Sequence, residues 1–194
     1  MTIATTARSP RNPSIRADDV TVIARQVQGM QMNNRTEPQL FADDLVIGQT
    51  FVGEARAVGD EQFDLFARLT GDDHPIHYDD AFAAKTRFGK RVAHGLLLMS
   101  MTALGATAMS RQLQDAMVAF GEQRCRFLKP VFVGDIVTSR FEVAAIDRKP
   151  RDTALVRFNV CLLNKAGETV LEGEHAYFLR WCGRSSAAGR TDAA

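Results

Sequence analysis

Between residues 93 and 113 the chain is apolar on nearly every helical face, with Ala93, Leu96, Leu97, Leu98, Met99, Met101, Leu104 and Met109 spread around the turns. A helix without a polar side needs other structure around it, so this segment predicts a long buried helix. Its longest apolar run, Gly95 to Met109, contains Ser100, Thr102, Thr107 and two glycines, and it falls short of the ~20 apolar residues that span a bilayer. After it the pattern changes. Residues 118–129, 135–146, 153–164 and 169–181 are rich in Val, Phe and Leu, and turn-forming residues part them, the shortest being Lys165-Ala166-Gly167. Four successive strands are predicted there.

Upstream, residues 50–58 alternate well enough to form a first strand ending at Gly59-Asp60. Phe63, Phe66, Ala67 and Leu69 then recur at helical spacing, with Asp60 as cap and Gly71 as stop. Pro75 prevents a second helix from running through residues 72–79, and residues 80–85 can add one more turn. One strand, helices, a buried helix and four strands make an α+β domain whose antiparallel sheet most simply wraps the buried helix. The compact domain is expected over residues 41–182. Residues 1–40 form an N-terminal extension, with a short amphipathic helix (Val20, Ile23, Val27, Met30) and a linker at 32–39, and a small polar tail begins at 183.

Composition narrows the class. A net charge of +1, from 24 basic and 23 acidic residues, gives no general attraction to nucleic acid or an acidic membrane. The three cysteines, Cys125, Cys161 and Cys182, lack zinc or CxxC spacing, and their odd number favours free thiols in the cytoplasm. The N-terminus has no signal-peptide run. Arg8, Arg11 and Arg16 without acids loosely fit a transit peptide, although Pro10 and Pro13 suit a disordered tail better.

The chemistry concentrates in residues 70–83 and 91–99. Asp72 and His77 stand five positions apart across Pro75, a carboxylate and an imidazole on a stiffened backbone, as general acid–base work requires. Gly95 opens the apolar helix, where an unpaired N–H can meet a carbonyl with no Cβ in the way. Each residue also has a structural reading: Asp72 as turn residue or cap, His77 as packing histidine, His94 as a structural residue at the helix start. His74, His77 and His94 beside Asp72 invite a metal site, but the spacing is no HExxH. Arg87, Lys90 and Arg91 are candidate contacts for the phosphates of coenzyme A or simply a solvated charge run, as is Lys85.

These motifs resemble the MaoC-like, R-specific enoyl-CoA hydratases of the hotdog superfamily. The hallmark Gly-Asp-x-Asn-Pro-Φ-His is here Gly71-Asp72-Asp73-His74-Pro75-Ile76-His77, with Asp79 and Asp80 close behind. Two further family features come next in order, from Phe88 to His94-Gly95 and from Phe127 to Asp135. The resemblance implies a single hotdog, dimerising with a second copy, without metal or cofactor. It implies reversible hydration of a trans-2-enoyl thioester of coenzyme A, or of acyl carrier protein, to the R-3-hydroxyacyl thioester. Asp72 and His77 would activate water, and Gly95, His74 and His94 would lie along the oxyanion and substrate site. Part of the stretch from Leu96 to Met99 would line an acyl tunnel. Two positions depart from the family: His74 replaces Asn, and Ala103 stands where a Ser is common. Thioester hydrolysis and non-catalytic acyl-CoA binding are the rival functions.

Overall fold

The computed structural model describes residues 38–183. The expectations for the N-terminal helix, for all of the linker up to residue 37 and for the tail beyond Gly183 lie outside the described residues. Five strands form one antiparallel sheet: β1 (Thr50–Val58), β2 (Met117–Phe127), β3 (Asp135–Lys149), β4 (Thr153–Asn164) and β5 (Thr169–Arg180), in spatial order β1-β3-β4-β5-β2. All pairings are antiparallel. Period-two alternation decides the buried face. On β4, Ala154, Val156, Phe158, Val160 and Leu162 point inward, while Arg157, Asn159 and Cys161 alternate with them on the outer face.

The inner face holds two apolar clusters. One gathers Phe141, Phe158, Leu113, Met109 and Leu179. The other, which underlies the site, gathers Val58, Phe63, Phe66, Leu97, Leu98, Val131, Val137, Leu162 and Leu171. Phe63 and Phe66 come from α1 (Asp60–Thr70), and Leu97 and Leu98 from α4 (Gly95–Ser100). Between them run two single turns of helix, α2 (Pro75–Tyr78) and α3 (Asp80–Ala83). Among the described residues no helix is long and apolar enough to cross a membrane.

The sheet wraps the central segment as expected, but the helix within that segment is shorter than the sequence pattern predicts. Helix α4 stops at Ser100; a 3-10 turn (Leu104–Ala106) and a further helical turn, α5 (Met109–Gln112), continue the segment. Hydroxyl groups explain the break. Ser100 Oγ donates to Leu97 O and Thr102 Oγ1 to Met99 O, both at 2.7 Å, so two side chains compete for the carbonyls that a continuing helix would use.

A buried polar chain then ties this break to the sheet. The Thr102 hydrogen is spent on Met99, so His175 Nε2–H donates to Thr102 Oγ1 at 3.3 Å and Tyr177 O–H donates to His175 Nδ1 at 3.1 Å. Burial pushes the His175 imidazole down to about 4, so it is neutral at physiological pH. The unfolded chain takes up a proton near pH 6.5 that the folded chain refuses until about pH 4. The stability from this group is therefore complete above 6.5 and lost as pH falls toward 4, a difference of at most about 3 kcal/mol. Urea unfolding of wild type and His175→Gln at pH 7 and pH 4.5 checks this: the wild type should lose more stability on acidification. An equal loss in both would contradict it.

Candidate active site

Helix α1 ends where Gly71 turns into the left-handed region (φ 76°), its N–H donating to Ala67 O at 2.7 Å. That reversal carries the chain directly into the motif. The Asp72 backbone N–H bonds Thr70 Oγ1 at 3.2 Å, while its exposed carboxylate bonds no other described residue. Pro75 opens α2, and His74 caps it: Nδ1 accepts from the Ile76 N–H at 3.3 Å. The imidazole thus takes over an acceptor role of the kind an Asn side chain supplies at helix starts. Asp79 caps the next turn through Phe82 N–H at 3.0 Å.

His77 and His94 meet although they belong to different elements. His77 Nδ1 donates to the Val92 carbonyl at 2.6 Å, which leaves its Nε2 lone pair toward the site. The two rings stack with centroids 3.7 Å apart and planes 25° from parallel. Phe66 and Phe63 pack on His94 at 4.8 and 5.4 Å, and Phe63 also meets His77 edge-on at 6.5 Å. Tyr78 O–H donates to Phe63 O at 2.8 Å and lies 3.1 Å from His94 Nε2. Burial, with Asp72 adding to it, pushes the Tyr78 hydroxyl up to about 12, so it stays a donor. His94 is buried, and that burial, reinforced by the neighbouring His77, holds its imidazole below the usual range; Asp72 pulls the other way.

A carboxylate oxygen of Asp72 and one nitrogen from each of His77 and His94 lie within 4.8 Å of one another. The set has the residue types of a metal site but not the geometry. Two imidazoles stacked nearly parallel direct their in-plane lone pairs side by side, whereas a shared ion needs them to converge. The arrangement suits proton handling instead.

His77 and Gly95 share a cavity of about 420 Å³, with Ile76, Arg87, Phe127 and Lys129 among its walls. Gly95 begins α4, and its N–H has no backbone partner among the described residues. A Cβ at Gly95 would stand 3.0 Å from the Phe127 ring. The three cations of the 87–91 run have separate fates. Arg87 lines the cavity with its guanidinium over Phe88, and the Lys90 ammonium lies 4.3 Å above the Phe132 ring. Arg91 is held between Asp60 at 2.7 Å and Asp80 at 2.9 Å, tying α1 to α3. Of the Leu96 to Met99 stretch, Leu97 and Leu98 are core, while Leu96 and Met99 border a second cavity of about 520 Å³ with Ala103, Phe120, His175 and Tyr177.

Residues 44–162 match the family described as a MaoC like domain. The chain belongs to the MaoC-like family. It is 33% identical to a 3-hydroxybutyryl-CoA dehydratase of Methylorubrum extorquens over 135 residues, covering 70% of this chain and 81% of that one. The solved (R)-hydratase from A. caviae is 32% identical, with a TM-score of 0.58 over 69% of this chain and 96% of that one. A Mycobacterium tuberculosis protein with a double hotdog fold superposes with a TM-score of 0.64 over 76% of this chain and 46% of that one, at 20% identity, and so speaks to the fold alone. The described residues of this MaoC-like domain are a hotdog, and hydro-lyase activity is the property of its named relatives.

Sequence reasoning does not single out Tyr78, the Phe63–Phe66 nest around the histidines, or Lys129. For Tyr78 the one available signal is that it adjoins His77. Lys129 lies in the feature from Phe127 to Asp135, which marks the stretch but not this side chain.

Proposed function

We propose that this domain adds water across the double bond of a trans-2-enoyl thioester, giving the R-3-hydroxyacyl thioester, and catalyses the reverse dehydration. The observation that carries the proposal is the grouping of Asp72 and His77 beside a cavity that Gly95 also lines. As the water oxygen attacks the β-carbon, one of its protons passes to the Asp72 carboxylate. The double-bond electrons move toward the thioester carbonyl, whose oxygen meets the Gly95 N–H, and a proton returns to the α-carbon through His77. The water is consumed, its hydroxyl on the β-carbon and a hydrogen on the α-carbon. Arg87 and Lys129 stand at the same cavity and suit the phosphates of coenzyme A, and Leu96 and Met99 suit an acyl chain.

A second copy is part of the proposal. Among the described residues strand β2 pairs with β5 alone, and it carries Val118, Phe120 and Phe127, each about half exposed. An apolar edge of this kind is normally covered by another strand. The three free cysteines fit a cytoplasmic enzyme.

Loss of enoyl absorbance across a chain-length panel of trans-2-enoyl-CoA substrates, run with a thiol reagent for released coenzyme A, tests the reaction. Hydration without thiol release is the expected result; thiol release alone would make the protein a thioesterase. Gly95→Ala should keep the fold and lower kcat by about 10- to 100-fold, because the new methyl group displaces Phe127 and crowds the carbonyl site. Unchanged kcat would remove Gly95 from the mechanism.

A further inference from the structure

We infer that the Tyr78 hydroxyl is a positioning group: it fastens the turn that carries His77 to the start of the helix that carries Gly95. The proton-handling and carbonyl-holding halves of the site thereby keep one spacing. This rests on the proposed hydration and names a residue that its mechanism does not use. The two halves sit on different elements. Helix α2, which presents His77, is a single turn of four residues, too short to hold itself in place. Helix α4 begins after His94, with Gly95 as its first residue.

One oxygen spans the gap. The Tyr78 hydroxyl donates to Phe63 O on α1 at 2.8 Å and lies 3.1 Å from His94 Nε2. His94 adjoins Gly95 in the chain, stacks on His77 and is bonded to the Asp72 backbone, so it links Tyr78 to all three working residues. The phenol itself takes no part in the chemistry. It does not line the cavity that His77 and Gly95 share, and burial, with Asp72 adding to it, pushes it up to about 12, so it gives up no proton at physiological pH. Packing does not account for the hydroxyl either. The ring meets Phe63 at 6.2 Å and His94 at 5.5 Å, contacts that a phenylalanine would keep. What the oxygen adds is direction, because a hydrogen bond restricts angles that an apolar contact leaves free.

Tyr78→Phe removes the oxygen and keeps the ring. Kinetics on a short trans-2-enoyl-CoA, read well below the melting temperature, should show kcat falling about 10- to 100-fold with KM within about threefold, since a misplacement of about 1 Å costs about 10²-fold in rate. The melting temperature should fall by no more than about 6 °C, as for the loss of a partly buried hydrogen bond. His94→Phe breaks the same link from the other side. Because the two side chains act through one bond, the double variant should be within about threefold of the slower single variant, whereas independent losses would multiply. Unchanged kcat in Tyr78→Phe beside an active wild type, whatever happens to KM, or losses that multiply, would overturn the positioning role alone. A wild type inactive on every enoyl thioester would overturn the hydration reading and this role with it.

Discussion

Asp72→Asn is expected to lower kcat for a short trans-2-enoyl-CoA by about 10²–10⁴-fold, the range that a positioned general base supplies. The substitution nearly preserves shape and removes only the capacity to take a proton. The structural reading of Asp72, as a cap or turn residue, makes the opposite forecast. In that case the fold would weaken and any activity would survive. The geometry separates the two, because the carboxylate is exposed and caps nothing, while the neighbouring turns are capped by His74 and Asp79. Stability should therefore stay within about 0.5 kcal/mol of wild type, as for other exposed positions without partners. Parallel kinetics and thermal unfolding decide between them, and a variant that keeps its rate but melts early would return Asp72 to a structural role.

Phe63→Ala should act the other way round, through the core. Phe63 is fully buried, packs edge-on against His77, Tyr78 and His94, and lends its carbonyl to Tyr78. Removing the ring leaves a cavity in a region of aromatic contacts, and such changes cost about 3–5 kcal/mol. In a domain of this size that lowers the melting temperature on the order of 10 °C. Activity should fall as well, since His77 and His94 lose the wall that sets their planes. Leu65 on the same helix is 46% exposed, so Leu65→Ala serves as the comparison and should stay within about 0.5 kcal/mol. Equal melting temperatures for the two variants would contradict the description of the nest.

The contrast between these variants shows what the sequence could and could not reveal. Strands were legible because alternation is a local signal: β1 and β4 have the limits that the pattern predicts, and the others differ by a few residues at their ends. The closeness of Asp72 and His77 was legible because one short motif holds both on one stretch of backbone. The length of the central helix was not. Its end depends on where the Ser100 and Thr102 hydroxyls point, and Thr102 is held by His175, 73 residues away. The aromatic nest was hidden for the same reason, since Tyr78 reaches Phe63 across 15 positions and His94 across 16. Arg91 looks like one of several loose cations until Asp60, 31 residues earlier, closes on it. His74 departs from the motif, and only its bond to Ile76 N–H shows that the capping function persists.

The central claim is a reaction with a defined face, and the configuration of the product tests it most directly. The purified protein is incubated with a short trans-2-enoyl-CoA, and the 3-hydroxyacyl product is resolved on a chiral column. Water held by Asp72 and His77 on one side of the acyl group predicts the R isomer alone, formed at least about 100-fold more slowly by Asp72→Asn. The S isomer, a racemic product, or no hydration by the wild type at any chain length would contradict the account.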